Sequence, residues 1–159
     1  MRKKAVWALG HYKPEISGVI DCLIQGLKDD DRGRRKGELT VPLLAAQALG
    51  NYKEKAVSAV PALIKAVDGS YFELKLYAIQ ALGHIGPSAT KAVPVLTRCV
   101  QEKGTRTVDH RQLQRCAIWS LGQIGKPAKP ALPALEKALA NESEEVRLEA
   151  KAAIERINK

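Results

Sequence analysis

One short pattern recurs four times along this chain. A recurring pattern constrains a fold more than any local propensity, because every copy must solve the same packing problem. Ala8-Leu9-Gly10, Ala48-Leu49-Gly50, Ala81-Leu82-Gly83 and Ser120-Leu121-Gly122 each follow an alanine five residues before the glycine, namely Ala5, Ala45, Ala78 and Ala117. Tyr12, Tyr52, Ile85 or Ile124 stands two residues after that glycine. Eleven residues after it comes Asp21, Pro61, Pro94 or Pro133, and two further on Leu23, Leu63, Leu96 or Leu135. The glycines are 40, 33 and 39 residues apart. A degenerate fifth copy closes the chain, with Ala150, Ala153 and Ile154 leading to Glu155, 33 residues past Gly122, where glycine would stand.

The physics of one copy is legible. Ala45, Ala48, Leu49 and Tyr52 fall at i, i+3, i+4 and i+7, one face of a helix. Gly50 is expected near the end of that helix, where positive φ would cap the orphan carbonyls. Val60, Leu63, Ile64 and Val67 form a second apolar face, and Pro61 falls in its opening turn, where a missing N–H costs little. Two amphipathic helices joined by a short glycine-containing turn cannot bury their faces alone, so successive hairpins must stack. Only 2 Trp, 4 Tyr and 1 Phe are present, and the recurring alanines allow close helix approach in their place.

These residues resemble the HEAT repeats, specifically the short HEAT-like class associated with phycobilisome lyases, whose pattern is roughly A-x-x-A-L-G-x-I-G followed by A-V-P-x-L. Here it reads Ala78-Ile79-Gln80-Ala81-Leu82-Gly83-His84-Ile85-Gly86, then Ala92-Val93-Pro94-Val95-Leu96. The expected fold is all-α, a right-handed α-solenoid of stacked antiparallel helical hairpins. The chain reads as one array, with units about 1–28, 39–68, 71–101 and 112–140 and a capping helix 143–158. Insertions at 28–38 and 101–111 account for the longer spacings and should emerge along one edge. Asp21 in place of proline and the short helix before Gly10 suggest either an unusual cap or a piece of a longer solenoid.

Charge supplies the candidate site. The chain carries 26 Lys+Arg against 17 Asp+Glu, a net +9. Gln25, Lys65, Arg98 and Lys137 occupy one position on four successive second helices, four residues after the proline position. If second helices line the inner surface, as in the family resembled, the three cations form a ladder at roughly 10 Å intervals. Arg32, Arg34, Arg35 and Lys36 in the first insertion, with Lys103, Arg106, Arg111 and Arg115, would extend it. Asp29, Asp30, Asp31 and Glu38 offset most of the first insertion's cations. Trp7, at the open end of the stack, is a candidate partner anchor, whereas Trp119, at the equivalent position, reads as packing between units.

Several chemistries find no support. No G-x-x-x-x-G-K-[ST], G-x-G-x-x-G, G-x-S-x-G or H-E-x-x-H occurs, so no catalytic residue is assigned. Asp29-Asp30-Asp31 lacks Ca²⁺-loop spacing, and His11 and His84 lie about two units apart, so no metal or cofactor is expected. Cys22, Cys99 and Cys116 show no C-x-x-C spacing and suit a reduced, cytoplasmic setting. No apolar run approaches the roughly 18 residues that span a membrane. The leading expectation is therefore a non-enzymatic binding or scaffold module that presents a curved, partly basic surface to a protein partner, for which the net +9 suits an acidic one. The alternative is nucleic-acid binding through the ladder and insertions. Third stands the lyase-type activity on a bilin that the resemblance implies.

Overall fold

The computed structural model describes Lys4, Val6 and residues 18–29, 40–102 and 108–159. Trp7, Arg32, Arg34, Arg35, Lys36 and Arg106 lie outside the described residues. Eight α-helices are described: α1 (Val19–Gly26), α2 (Val41–Asn51), α3 (Val60–Asp68), α4 (Phe72–Ile85), α5 (Val93–Gln101), α6 (Val108–Ile124), α7 (Leu132–Ala138) and α8 (Glu144–Asn158). No strand occurs among the described residues. First helices α2, α4, α6 and α8 lie side by side in one row. Each second helix packs on the first helix that follows it: α1 on α2, α3 on α4, α5 on α6 and α7 on α8. The chain is an all-α solenoid.

The second helices start where the sequence places proline. Pro61, Pro94 and Pro133 each occupy the first turn, so no intrahelical donor is lost. Glu144 and Glu145 open α8 and favour its positive end. Arg147 secures the approach to α8 by donating from Nη1 to the carbonyls of Asn141 and Glu142, at 2.8 and 2.9 Å. The core repeats as the sequence does. Leu49, Leu82 and Leu121 from first helices and Leu63, Leu96 and Leu135 from second helices are all fully buried, each contributing about 1.5–3 kcal/mol. Val146, Ala150, Ala153 and Ile157 bury one face of α8 in the same way.

Two expectations need correction. The link between first and second helices is not a tight turn but a 3-10 segment, at Lys53–Ala59, Gly86–Ala92 and Lys126–Ala131. Each segment buries two alanines completely (Ala56 and Ala59, Ala89 and Ala92, Ala128 and Ala131), so the connector belongs to the core. Nor does the repeated glycine cap its helix. Gly50, Gly83 and Gly122 lie inside α2, α4 and α6, facing the next first helix. A Cβ on Gly50 would sit 3.2 Å from the Ala81 Cα, one on Gly122 3.0 Å from the Ala153 Cα, and one on Gly83 2.6 Å from Trp119 Cζ3 and 2.7 Å from Ser120 Oγ. Glycine is there because two backbones approach too closely for a side chain.

Chain reversal at positive φ falls three residues later, at Gly86 (φ 72) and Gly125 (φ 70). Lys53 holds the equivalent position after Gly50 and also has positive φ, at 50. A side chain there costs about 1–2 kcal/mol. Ser120 replaces the alanine found at Ala48 and Ala81, and its buried Oγ donates to the carbonyl of Ile79 in the preceding unit at 2.8 Å.

Stability should follow these approaches. Gly83→Ala is expected to destabilise by about 2 kcal/mol in urea unfolding, because overpacking exceeds the gain in helix propensity. Gly50→Ala should be nearly neutral, with Gly122→Ala in between. Lys53→Gly should raise stability by about 0.5–1 kcal/mol, as relieved strain outweighs the greater chain entropy of glycine. A loss of stability at Lys53→Gly in the same assay would contradict the assignment of strain.

Candidate functional site

Crowding of the first helices leaves a furrow on the outer side of their row. Residues opposite the buried stripe of α6 recur at i, i+3, i+4 and i+7 as Gln112, Arg115, Cys116 and Trp119, and all four line one cavity of about 450 Å³. Gln80 and His84 from α4, one turn apart, form the facing wall, and Glu149 of α8 closes the far side. At the C-terminal end of α4 a second cavity, of about 520 Å³, opens among Tyr52, Lys53, Glu54, Lys55, His84, Pro87 and Gln123. Gly83 and Gly86 are part of its lining. His84 borders both cavities.

The aromatic element is a pair. The rings of His84 and Trp119 meet edge to face, with centroids 5.0 Å apart and planes at 69°, a geometry favoured by the quadrupole of the indole. Trp119 is half-buried and lies over the bare backbone of Gly83, so the glycine that permits helix approach also seats the indole. His84, placed by the sequence too far from His11 to share a metal, is exposed yet held in this inter-unit ring contact. Trp119 does pack between units, and it lines the furrow as well.

Polar groups grade the furrow from end to end. The Gln80 amide donates to Cys116 Sγ at 3.7 Å. Burial pushes the Cys116 thiol up; the Gln80 hydrogen bond and then Arg115 pull it back, while Glu149 adds a weaker push. Arg115 is already paired with Glu145 at 2.6 Å, so its charge is largely compensated. At the opposite end Lys53 and Lys55 are exposed, with Glu54 between them. Burial also raises the Tyr52 phenol, which therefore stays a neutral hydroxyl at physiological pH. The furrow thus offers a flat aromatic wall, amide and imidazole hydrogen-bonding groups, and a surplus of positive charge at one end only.

The charge candidates are placed elsewhere. Gln25, Lys65, Arg98 and Lys137 are all exposed, on α1, α3, α5 and α7, and Arg98 is salt-bridged to Asp68 at the end of α3. Arg111 is exposed near the start of α6, on the first-helix row. Among the described residues no group of three or more His, Cys, Asp or Glu could hold a metal ion. No described helix is long and apolar enough to cross a membrane. The cysteines differ: Cys22 is exposed, Cys99 buried and Cys116 half-buried.

Fold and furrow together define a short solenoid of stacked helical hairpins. Residues 113–141 match the family described as the PBS lyase HEAT-like repeat. The chain is 41% identical over 75 residues to the phycocyanobilin lyase subunit alpha of Microchaete diplosiphon, covering 47% of this chain and 25% of that protein. It also resembles a solved structure of the complex of CpcE and CpcF of phycocyanin lyase from a Nostoc species, with 27% identity and a TM-score of 0.72. That match covers 98% of this chain and 59% of the other. A designed armadillo repeat protein in complex with a (KR)4 peptide shares the fold at 22% identity and a TM-score of 0.67, covering 98% of this chain and 75% of that one. The chain thus spans a quarter of the curated relative and under two thirds of the solved lyase chain.

The expectation that the chain is not an enzyme is overturned by these likenesses, since the relatives are a lyase subunit and a lyase complex. Motif searches detect chemistry tied to phosphate loops, nucleophile elbows or metal spacing. They do not see a furrow assembled from variable positions on three helices.

The placement of Cys116 has a measurable consequence. With its thiol raised, the thiolate forms only at higher pH than in an unstructured peptide, so alkylation should be slow at neutral pH. The pH profile of iodoacetamide labelling, followed at Cys116 by peptide mass spectrometry, should be displaced upward from that of the unfolded chain. An unshifted profile would contradict the partly buried placement.

Proposed function

We propose that this chain is part of a lyase that attaches a phycobilin to a protein or removes it, acting together with a second protein. The observation that carries the reading is the 41% identity to a phycocyanobilin lyase subunit. The furrow supports it: a conjugated ligand needs a flat wall, which Trp119 provides, and hydrogen-bonding groups along its edge, which Gln80 and Gln112 provide. His84 borders both cavities and is the furrow's one imidazole among the described residues. It is the group suited to move a proton at the bound ligand during addition or elimination.

The partner reading draws on the two-protein lyase complex that the fold resembles. In the same proposal, Gln25, Lys65, Arg98 and Lys137 face that partner from the second-helix row, leaving the first-helix furrow to the bilin. Trp7, Arg32, Arg34, Arg35, Lys36 and Arg106 lie outside the described residues and Arg111 stands on the first-helix row, so the partner surface in this proposal is the second-helix set alone. The compartment in this proposal is the cytoplasm. No observation favours the nucleic-acid alternative.

Titration with phycocyanobilin tests the furrow directly. The pigment's absorbance should shift on mixing with the purified chain, and Trp119 fluorescence, read in a Trp7→Phe background, should be quenched. Trp119→Ala and His84→Ala should each weaken binding about tenfold or more, the loss of one well-placed aromatic contact. If the absorbance and fluorescence stay flat across micromolar pigment, the lyase reading is wrong.

A further inference from the structure

The furrow is electrically lopsided, and the asymmetry specifies how a ligand would lie in it. Arg115, at one end, is paired with Glu145 and stands near Glu149. That end carries no surplus positive charge. At the other end Lys53 and Lys55 both line the second cavity with Glu54 between them, a net surplus of one positive charge, and neither lysine makes an ion pair with a described residue. The two cavities share His84 in their linings, so a ligand spanning both would cross that imidazole.

The backbone adds a second, independent observation. Glycine occupies the reversal position in the two later units, as Gly86 and Gly125, whereas Lys53 holds positive φ with a side chain. A residue kept where glycine would be unstrained is a sign that its side chain has work to do. That strained lysine lines the cavity beside His84, and its neighbour Gly83 leaves the wall without a side chain.

We propose that the turn-edge end of the furrow is a carboxylate site: Lys53 and Lys55 hold the acid side chains of a flat, conjugated ligand whose body crosses His84 to reach Trp119. The proposal rests on the lyase reading, because a bilin is a linear conjugated tetrapyrrole bearing propionate side chains. It goes further by fixing the orientation of the ligand and by naming the residues that distinguish an acid from its ester. Ammonium–carboxylate pairs at an exposed site are modest and screened by salt, so the preference should be largest at low ionic strength.

The test compares phycocyanobilin with its dimethyl ester, binding each to the full chain and to Lys53→Gly/Lys55→Gln. Lys53→Gly relieves strain, so the double variant should fold, which circular dichroism checks. The intact chain should bind the acid about tenfold more tightly than the ester at low salt, and the double variant should bind both with the ester's affinity. Trp119→Ala should weaken acid and ester equally. Lys91→Gln/Lys129→Gln, exposed on the two later connectors and lining neither cavity, should leave the acid-to-ester ratio unchanged. Equal binding of acid and ester by the intact chain, or a preference that survives in the double variant, overturns the carboxylate site alone. Failure of both pigments to bind overturns the lyase reading and this inference with it.

Discussion

Close contact between successive first helices governs this molecule. At Gly50, Gly83 and Gly122 the backbone of one first helix meets a small residue of the next, Ala81, Ser120 or Ala153. Such contact buries area without large side chains, because backbone and Cβ atoms themselves supply the dispersion contacts that a Leu or Phe would otherwise provide. It explains how a chain with so few aromatic residues builds a continuous core. The second helices α3, α5 and α7 are shorter and touch one another little, so the two rows differ in character.

The same contact builds the furrow. Where two helices approach through glycine, the residues flanking the contact are brought together across the groove. The residue after Gly83 is His84, and the residue three before Gly122 is Trp119; these two meet edge to face. Packing and site are therefore one construction. Adding bulk at Gly83 strains the stack and displaces the indole from its seat at once. The buried hydrogen bond from Ser120 to Ile79 lies beside this point and ties α6 to α4 where the furrow begins.

The repeat, its helix pairs and its buried leucines were readable because the period is set by residues that recur: Leu49, Leu82 and Leu121 are identical, and all are fully buried. The glycine was misread because its sequence environment, near the end of an apolar run, suits a cap as well as a close contact. Only the neighbouring helix, which is remote in sequence, decides between them. The furrow was missed for the opposite reason. Its residues occupy positions that vary between units. Three before the glycine stand Trp7, Gln47, Gln80 and Trp119, and one after it stand His11, Asn51, His84 and Gln123. Comparing units for what they share discards these positions. Aligning the outward positions of successive first helices would have set His84 against Trp119 and shown aromatic and amide groups gathering on one row.

The lopsided charge of the furrow depends on the same distinction between shared and unit-specific positions. Stacking fixes the glycine, alanine and leucine of each unit, so specificity is left to residues that stacking does not use. Lys53 is one of these, and it stands at a reversal where two other units have glycine. Its strain of about 1–2 kcal/mol is tolerable only because the rest of the unit is over-determined: Ala56, Ala59 and Val60 that follow it are buried and lock the connector in place. A repeat array can therefore carry a strained, ligand-facing side chain in one unit while its neighbours supply the stability. In this way an array of similar hairpins can hold, in one unit, the directional site proposed at Lys53.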